Sequence, residues 1–522
     1  MHRRSNPVLD ADWPDPDAIR VGEEIWMVAS SFNRAPGLPL LRSRDLVDWE
    51  HVTNALPALE PAGHYALPRR GSGVWAPSIR EHDGEVFLVY PDPDHGIFVL
   101  RAPHPSGPWS TPHLLLPGRG LIDPCPLWDE DGRAYLVHGW ARSRARVKNR
   151  LSLVEITPDL RSPLGPGEVI IDGDALDMTT LEGPKAYRHD GYVWIWAPAG
   201  GVADGYQVVF RARHPRGPFE HRVVLAQQGS STNGPHQGAL VDDATGAHWF
   251  LHFQDRGVFG RVVHLQPVVL GEDGWPHVGE PVDEHLGRPV DEVPLLGAVA
   301  TGRSDDDAPG YREPLRSDDF ATPGLHPRWH WQANPDPQWV RADGDGRIGL
   351  AAVASPRGDL RDHGAVLGQQ LPGRPSVWRT TLELPALAPG SPLPAPERAG
   401  VVVLGHAYAW AGLRRDADGV SLVSGVMGPD DADEVLTVHR RLATDPAAKA
   451  RVRLSVAVDA AGRVTLTADD DVLLDGWQSR EGHWIGAEVG LFAAADGLLG
   501  AVGDDRRAQF GPVAVEREGE AA

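Results

Sequence analysis

Five residues with chemistry in their side chains stand at matching places in this 522-residue chain: Asp15 in Pro14-Asp15-Pro16, Trp75 in Trp75-Ala76-Pro77, Asp123 in Asp123-Pro124, Glu182 in Glu182-Gly183-Pro184 and His236 in Pro235-His236. Three of them are carboxylic acids. Cleaving an acetal requires a proton delivered to the leaving oxygen and an attacking group on the opposite face, and a pair of carboxyl groups supplies both. Held about 6.5–9.5 Å apart, they leave room for a water between base and sugar, and the anomeric configuration inverts. A third carboxylate nearby raises the pKa of the acid by like-charge repulsion and keeps it protonated near neutral pH. The indole of Trp75 offers a flat apolar face for a sugar ring.

Elements that bring such residues together are visible as a repeat. Each of the five precedes, by seven to ten residues, a glycine that opens an apolar run: Gly22-Glu-Glu-Ile-Trp-Met-Val, Gly84-Glu-Val-Phe-Leu-Val-Tyr, Gly132-Arg-Ala-Tyr-Leu-Val, Gly191-Tyr-Val-Trp-Ile-Trp and Gly246-Ala-His-Trp-Phe-Leu. The glycines are 48 to 62 residues apart, a spacing that suits four-stranded blades with long loops. The strand before each glycine is the innermost of its blade, so equivalent positions converge on one axis. Proline cannot donate to a sheet ladder and suits a strand start at the mouth of a channel. Residues 1–300 are thus predicted to form an all-β, five-bladed propeller.

Composition bounds the partners. With 72 acidic and 50 basic side chains the formal charge is −22, which repels nucleic acid and anionic membranes and favours a neutral ligand. Eighteen Trp against four Met and one Cys form a rigid, ring-rich palette in which most rings fill cores. Cys125 alone forms no intrachain disulfide and no cysteine-based zinc cluster; it reads as a buried, inert thiol. The N-terminus lacks the apolar stretch of a secretion signal and no run is long enough to span a bilayer, so a cytoplasmic protein is expected.

Gly, Asp and Pro rich sequence with Ser304-Asp-Asp-Asp307 marks a linker over 301–314. Beyond it, residues 315–522 carry strand patterns at Arg451–Val458, Arg463–Thr467 and Ala487–Phe492, with hairpin signals at Ala461-Gly462 and Asp475-Gly476. They predict a second, β-sandwich domain.

The opening Asn6-Pro-Val-Leu-Asp-Ala-Asp-Trp-Pro-Asp15-Pro-Asp resembles that of glycoside hydrolase family 43, the β-xylosidase and α-L-arabinofuranosidase family. Ser31-Phe32 with Pro36-Gly37, Ser43-Arg-Asp-Leu-Val-Asp-Trp49, Gly73-Val-Trp-Ala-Pro77, Ile122-Asp-Pro124, Leu181-Glu-Gly-Pro184 and Gly260-Arg261 follow in the family's order. The resemblance implies that Asp15 is the general base, Glu182 the general acid and Asp123 the group tuning Glu182. It further implies that Arg261 contacts substrate and that Phe32 and Trp75 wall the sugar pocket. His236 resembles the family histidine that orders an axial water or helps hold a divalent cation, often Ca2+, in the channel; no cofactor is otherwise required. Lys185 stands where many family xylosidases show His, a sign of a different branch. The basic insert Arg142–Arg150 reads either as reaching over the pocket or as a solvated loop. Asp318-Asp-Phe320 and Trp329-His-Trp-Gln-Ala-Asn334 resemble the start of the concanavalin-like sandwich of many family xylosidases; the resemblance implies that one of its loops can close the pocket, with free carbohydrate binding and a purely stabilising role as the other two readings of this domain.

Together these readings predict an inverting, exo-acting hydrolase releasing xylose or arabinose from short oligosaccharides, with homo-oligomerisation left open. Two alternatives are weighed. A non-catalytic sugar-binding propeller would not need three acids in the axial register. A retaining fructosyl hydrolase would show Arg-Asp-Pro and Glu-Cys, whereas Ile122 precedes Asp123 and Gly183 follows Glu182.

Overall fold

The computed structural model describes residues 3–294, 317–355, 357–388, 395–496 and 506–517. Five sheets follow one another in the first part, with innermost strands Asp17–Val21, Ser78–His82, Leu121–Trp128, Lys185–His189 and Gly238–Asp242; four are antiparallel and four-stranded, and the fourth is extended to six strands by Gly287–Arg288, which joins it in parallel, and Glu280–Pro281. Each pairs with the glycine-led strand that follows it. At Asp83-Gly84 and Asp190-Gly191 both turn residues have positive φ, the two-residue turn whose twist matches that of a hairpin. One apolar cluster lies at each blade interface: Trp13, Ile25 and Trp249 pack between blades 5 and 1, for example, and Trp196, Phe250 and Trp275 between blades 4 and 5. Most Trp serve these cores, Trp26, Trp49 and Trp194 among the fully buried.

The ring is closed by the N-terminal segment. Asn6 donates to Leu265 O and Val290 O, Leu9 bridges Val263, and Trp13 N donates to Arg261 O. Blade 5 is thereby tied to the segment that carries Asp15.

Two larger sheets form the second part. One runs His330–Trp331, Val366–Gln370, Glu488–Ala495, Glu397–Leu404, Tyr408–Asp416, Gly419–Met427, Val435–Ala443; the other is built around Ser376–Leu384, Ala450–Val458, Arg463–Ala468 and Asp471–Gln478. Leu454, Val456, Leu466, Leu491 and Phe510 fill the space between them, and Phe259 of the propeller enters the same core. The all-β propeller-plus-sandwich expectation holds. The predicted linker 301–314 lies outside the described residues. Ala461-Gly462 is a hairpin turn as expected, but Asp475-Gly476 is not: it sits inside a strand as a bulge opposite Thr465, whose hydroxyl donates to Asp475, and the turn is made by Asp469-Asp470, both at positive φ. A Gly in the left-handed region serves a bulge as well as a turn, which is why the dipeptide misleads. No helix among the described residues is long and apolar enough to cross a membrane.

The two parts are joined through Arg34. Its guanidinium, 3% exposed, donates to Asp12 at 2.9 Å and to Glu488 of the sandwich. Glu488 also accepts from Gln332 at 2.5 Å and faces His330 at 3.0 Å. Against a burial that would raise it, Arg34 and His330 hold the Glu488 carboxyl far below the usual carboxylate range. The Trp329–Asn334 motif lines the same seam: Trp331 bridges Ala35, Gln332 O accepts from Asn33, and the Asn334 amide both donates to and accepts from the Leu59 backbone.

Removing one partner of a buried ion pair strands the others in a low-dielectric interior. Arg34→Met is expected to destabilise the chain by about 3–5 kcal/mol, read as a drop in the urea midpoint.

Candidate active site

The axial register is the one the repeat predicts. Ser30 N donates to Pro14 O, Trp75 N to Pro91 O, Glu182 N to Pro198 O and His236 N to Phe253 O, so in each blade the same place on the inner strand faces the end of its neighbour. Asp123 lies in the corresponding position of blade 3, at a break in register between Ile122 and Cys125. Such a bulge re-aims a side chain. Asp15 and Asp123 both have a φ of 54°, a region that Asp tolerates better than most residues and that recurs at functional sites. At Glu182 the corner is made by Gly183, φ 61°, where a side chain would collide with Gln237.

Asp15, Asp123, Glu182, Phe32, Trp75, His236 and Arg261 all line one pocket of 110 Å³. Asp15 accepts from Ser30 Oγ at 2.6 Å and from Arg261 Nη1 at 3.0 Å; these two donors fix its orientation. Arg261 is 7% exposed, so its pairing with Asp15 is part of the site and not a surface salt bridge. Asp123 Oδ2 accepts from Gly183 N at 2.8 Å, a bond that joins it to the residue after Glu182. Burial raises the Asp123 carboxyl to about 7, with the Gly183 bond opposing and the Asp15 charge adding to the rise. Burial, then the charges of Asp123 and Asp15, push Glu182 up to about 8, with Arg261 opposing. The two titrate as a pair.

The walls come from both domains. Phe32 and Trp75 lie 6.2 Å apart between ring centres, and Trp484 of the sandwich stands 6.4 Å from Trp75 on the far side. Arg261 lies 5.9 Å from the Trp484 ring. Trp484 has a φ of 68° and is 47% exposed, an uncommon backbone for an aromatic residue. Its loop is pinned by Gly486 N donating to Asp12 at 3.2 Å and Ala487 N to Val258 O at 2.8 Å. The expected closure by a sandwich loop is thus identified with Trp484, which sequence reading did not name: Gly482-His-Trp-Ile-Gly486 belongs to no repeat, and only its flanking glycines hint at an unusual backbone. Ser30 and Gln237 were likewise missed. The insert Arg142–Arg150 is partly docked: Arg144 reaches Asp94 at 3.2 Å and lies 5.6 Å from the Trp75 ring centre, while Arg142 and Arg146 stay exposed.

His236 is buried with its Nε2 3.6 Å from Glu182 and its ring 4.9 Å from Phe253. Burial, then Arg261 and His252, lower its pKa to about 3, so the imidazole is neutral. Both ring nitrogens lack a protein hydrogen-bond partner, which suits an ordered water. Calcium takes six to eight oxygen ligands, and among the described residues there is no group of three or more His, Cys, Asp or Glu that could hold a metal.

Comparison with known proteins agrees with this geometry. Residues 4–276 match the family model described as glycosyl hydrolases family 43, and 317–510 match that of the beta xylosidase C-terminal concanavalin A-like domain. A protein of Xylanibacter ruminicola whose name places it among β-xylosidases is 36% identical over 376 residues, 71% of this chain and 67% of its own length. A beta-xylosidase of Formosa agariphila is 30% identical over 66% of this chain and 61% of its own. A non-reducing end alpha-L-arabinofuranosidase of Bacteroides ovatus is 29% identical over 53% of each chain. In fold, the chain is similar to a xylan beta-1,4-xylosidase from Bacillus halodurans, with a TM-score of 0.79, 22% identity and coverage of 98% of this chain and 100% of that one.

Because the folded state holds the Glu182 proton to about pH 8 and an unfolded glutamate releases it near 4.5, stability falls as pH rises between those values. Glu182→Gln removes that loss. Its Tm relative to wild type is expected to be higher at pH 8 than at pH 5 in parallel thermal melts; a constant difference would place the proton elsewhere.

Proposed function

The chain belongs to glycosyl hydrolases family 43, and from that premise we propose that it removes single pentose units, xylose or arabinose, from the non-reducing ends of short oligosaccharides with inversion of configuration. The observation that carries this reading is the division of labour among the axial acids. Asp15 is oriented by a guanidinium and a hydroxyl, whereas Glu182 is surrounded by negative charge and an apolar wall and retains its proton.

In this mechanism Asp15 orients a water beside the anomeric carbon and takes its proton as the C–O bond to the sugar forms. Glu182 gives its proton to the departing glycosidic oxygen, so no alkoxide is released. Asp123, bonded to Gly183 N, keeps negative charge near Glu182 and favours its protonated form. Proton exchange with solvent returns Asp15 to the carboxylate and Glu182 to the acid. Arg261 and the rings of Phe32, Trp75 and Trp484 confine one sugar, and closure by Trp484 favours cleavage at a chain end. The pentose assignment rests on the relatives' names and on the small pocket.

Purified wild type is expected to release 4-nitrophenol from the β-D-xylopyranoside, the α-L-arabinofuranoside or both, with the anomer opposite to the substrate's appearing first by NMR. Asp15→Ala should lower kcat by about 10²–10⁴-fold. Glu182→Ala should do so on xylobiose but less on the nitrophenyl substrate, whose leaving group needs little protonation. Equal losses on both substrates would remove Glu182 from the acid role, and retention of configuration would overturn the mechanism. Chelator should leave the rate unchanged, given the donor set at His236.

Trp484→Ala opens the pocket. It should raise KM for the smallest substrates about tenfold while leaving the fold intact, because stacking one ring on an aromatic face contributes about 1–1.5 kcal/mol.

A further inference from the structure

Directly beneath the pocket floor lies a buried ammonium that the mechanism does not use. Lys185 follows Glu182 by three residues and is fully buried. It crosses the axis: Nζ donates to Pro77 O at 2.6 Å and to Ser78 Oγ at 2.8 Å and stands 3.5 Å from Asp17 Oδ2. Ser78 Oγ in turn donates to Pro124 O at 2.6 Å. These contacts reach the residue pairs that follow each functional side chain: Asp17 two after Asp15, Pro77 two after Trp75, Pro124 next to Asp123, and Lys185 itself beyond Glu182.

Hydrophobic packing alone does not explain this arrangement. A buried ammonium costs free energy unless it is paired and bonded, and an apolar residue of similar length would fill the same volume. Among the described residues the carboxylate that Lys185 pairs with, Asp17, is shared with Arg80 at 2.7 Å and also accepts from Ile79 N at 3.0 Å. The site is therefore cationic on balance, and the Lys185 charge acts on Asp123 in the direction of the carboxylate. Every hydrogen bond it makes runs between blades, where no ladder hydrogen bond is available to fix one innermost strand against the next.

We propose that Lys185 is a positioning residue: a buried clamp, relayed by Ser78, that fixes the strand starts of blades 1 to 4 against one another and so sets the spacing of Asp15, Trp75, Asp123 and Glu182. The proposal rests on the hydrolase reading above and adds to it the device that holds the acids in register. A displacement of about 1 Å at such groups can cost about 10²-fold in rate.

The test uses the full chain and whichever glycoside wild type cleaves, with variants Lys185→Met, Ser78→Ala and the two combined. Lys185→Met, folded by circular dichroism, is expected to lose about 10²-fold in kcat with KM within about threefold, because the Arg261 backbone and the Trp484 loop are held through Asp12 and not through the clamp. Ser78→Ala should lose about tenfold, and the double variant should be no slower than Lys185→Met, since residues acting through one chain of contacts are not additive. A folded Lys185→Met with kcat near wild type, or a double variant showing the product of the two losses, would overturn the clamp. Should Lys185→Met fail to fold, Ser78→Ala decides: undiminished kcat there overturns it as well. Absence of glycoside turnover in wild type would sink the hydrolase reading and the clamp together, whereas an active wild type with indifferent variants sinks the clamp alone.

Discussion

One guanidinium, Arg34, lies between two carboxylates that belong to different domains, and the finished pocket depends on it. Asp12 accepts from Arg34, from Arg261 N at 2.9 Å and from Gly486 N. A single carboxylate thus sets the backbone of Arg261, which bonds Asp15, and of the loop that presents Trp484. On its other side Arg34 meets Glu488, the first residue of a central sandwich strand that also pairs with Val366–Gln370. A buried cluster of this kind is weak evidence of stability for its own sake. Its effect is geometric: the ions fit one arrangement of the two domains, and that arrangement puts Trp484 opposite Trp75.

Why the acids themselves were legible in the sequence follows from the same geometry. A propeller repeats its covalent plan, so a similar offset from the hairpin glycine, seven to ten residues, carries each of five residues to one axis, and the offset can be counted without coordinates. Pro14, Pro77, Pro124, Pro184 and Pro235 mark the register because a strand start at the channel mouth is where a missing N–H does no harm. Trp484 and Arg34 carry no such mark. Trp75, the partner of Trp484, and Glu488, one partner of Arg34, lie hundreds of residues away across a domain seam, and nothing local in Gly482–Gly486 or in Asn33-Arg34-Ala35 records the contact. The Asp475-Gly476 misreading has a different origin: positive φ is required equally by a bulge and by a hairpin, and composition alone does not separate the two.

Electrostatics inside the pocket follows from placing unlike neighbours beside like side chains. Asp15 is buried and Glu182 half-buried, both near Asp123, yet only Asp15 has Arg261 and Ser30 within hydrogen-bond distance. The cation that opposes the rise at Glu182 is the same Arg261, acting from beyond Asp15. The Asp12 bond to Arg261 N therefore bears on the surroundings of both carboxyl groups.

The sandwich is therefore part of the site and not an appendage. A propeller axis by itself is an open funnel, and its five inner strands leave the mouth unroofed. Roofing it with a loop from another domain makes pocket depth a function of how the domains seat, whereas a loop from a blade would make it a property of the blade alone. The left-handed backbone of Trp484, held by Gly486 on Asp12 and Ala487 on Val258, places an aromatic face where a longer chain would have to pass. On the proposed function, endwise attack then follows from seating, and a propeller with the same acids but a shorter sandwich loop would retain the chemistry and lose the preference for chain ends.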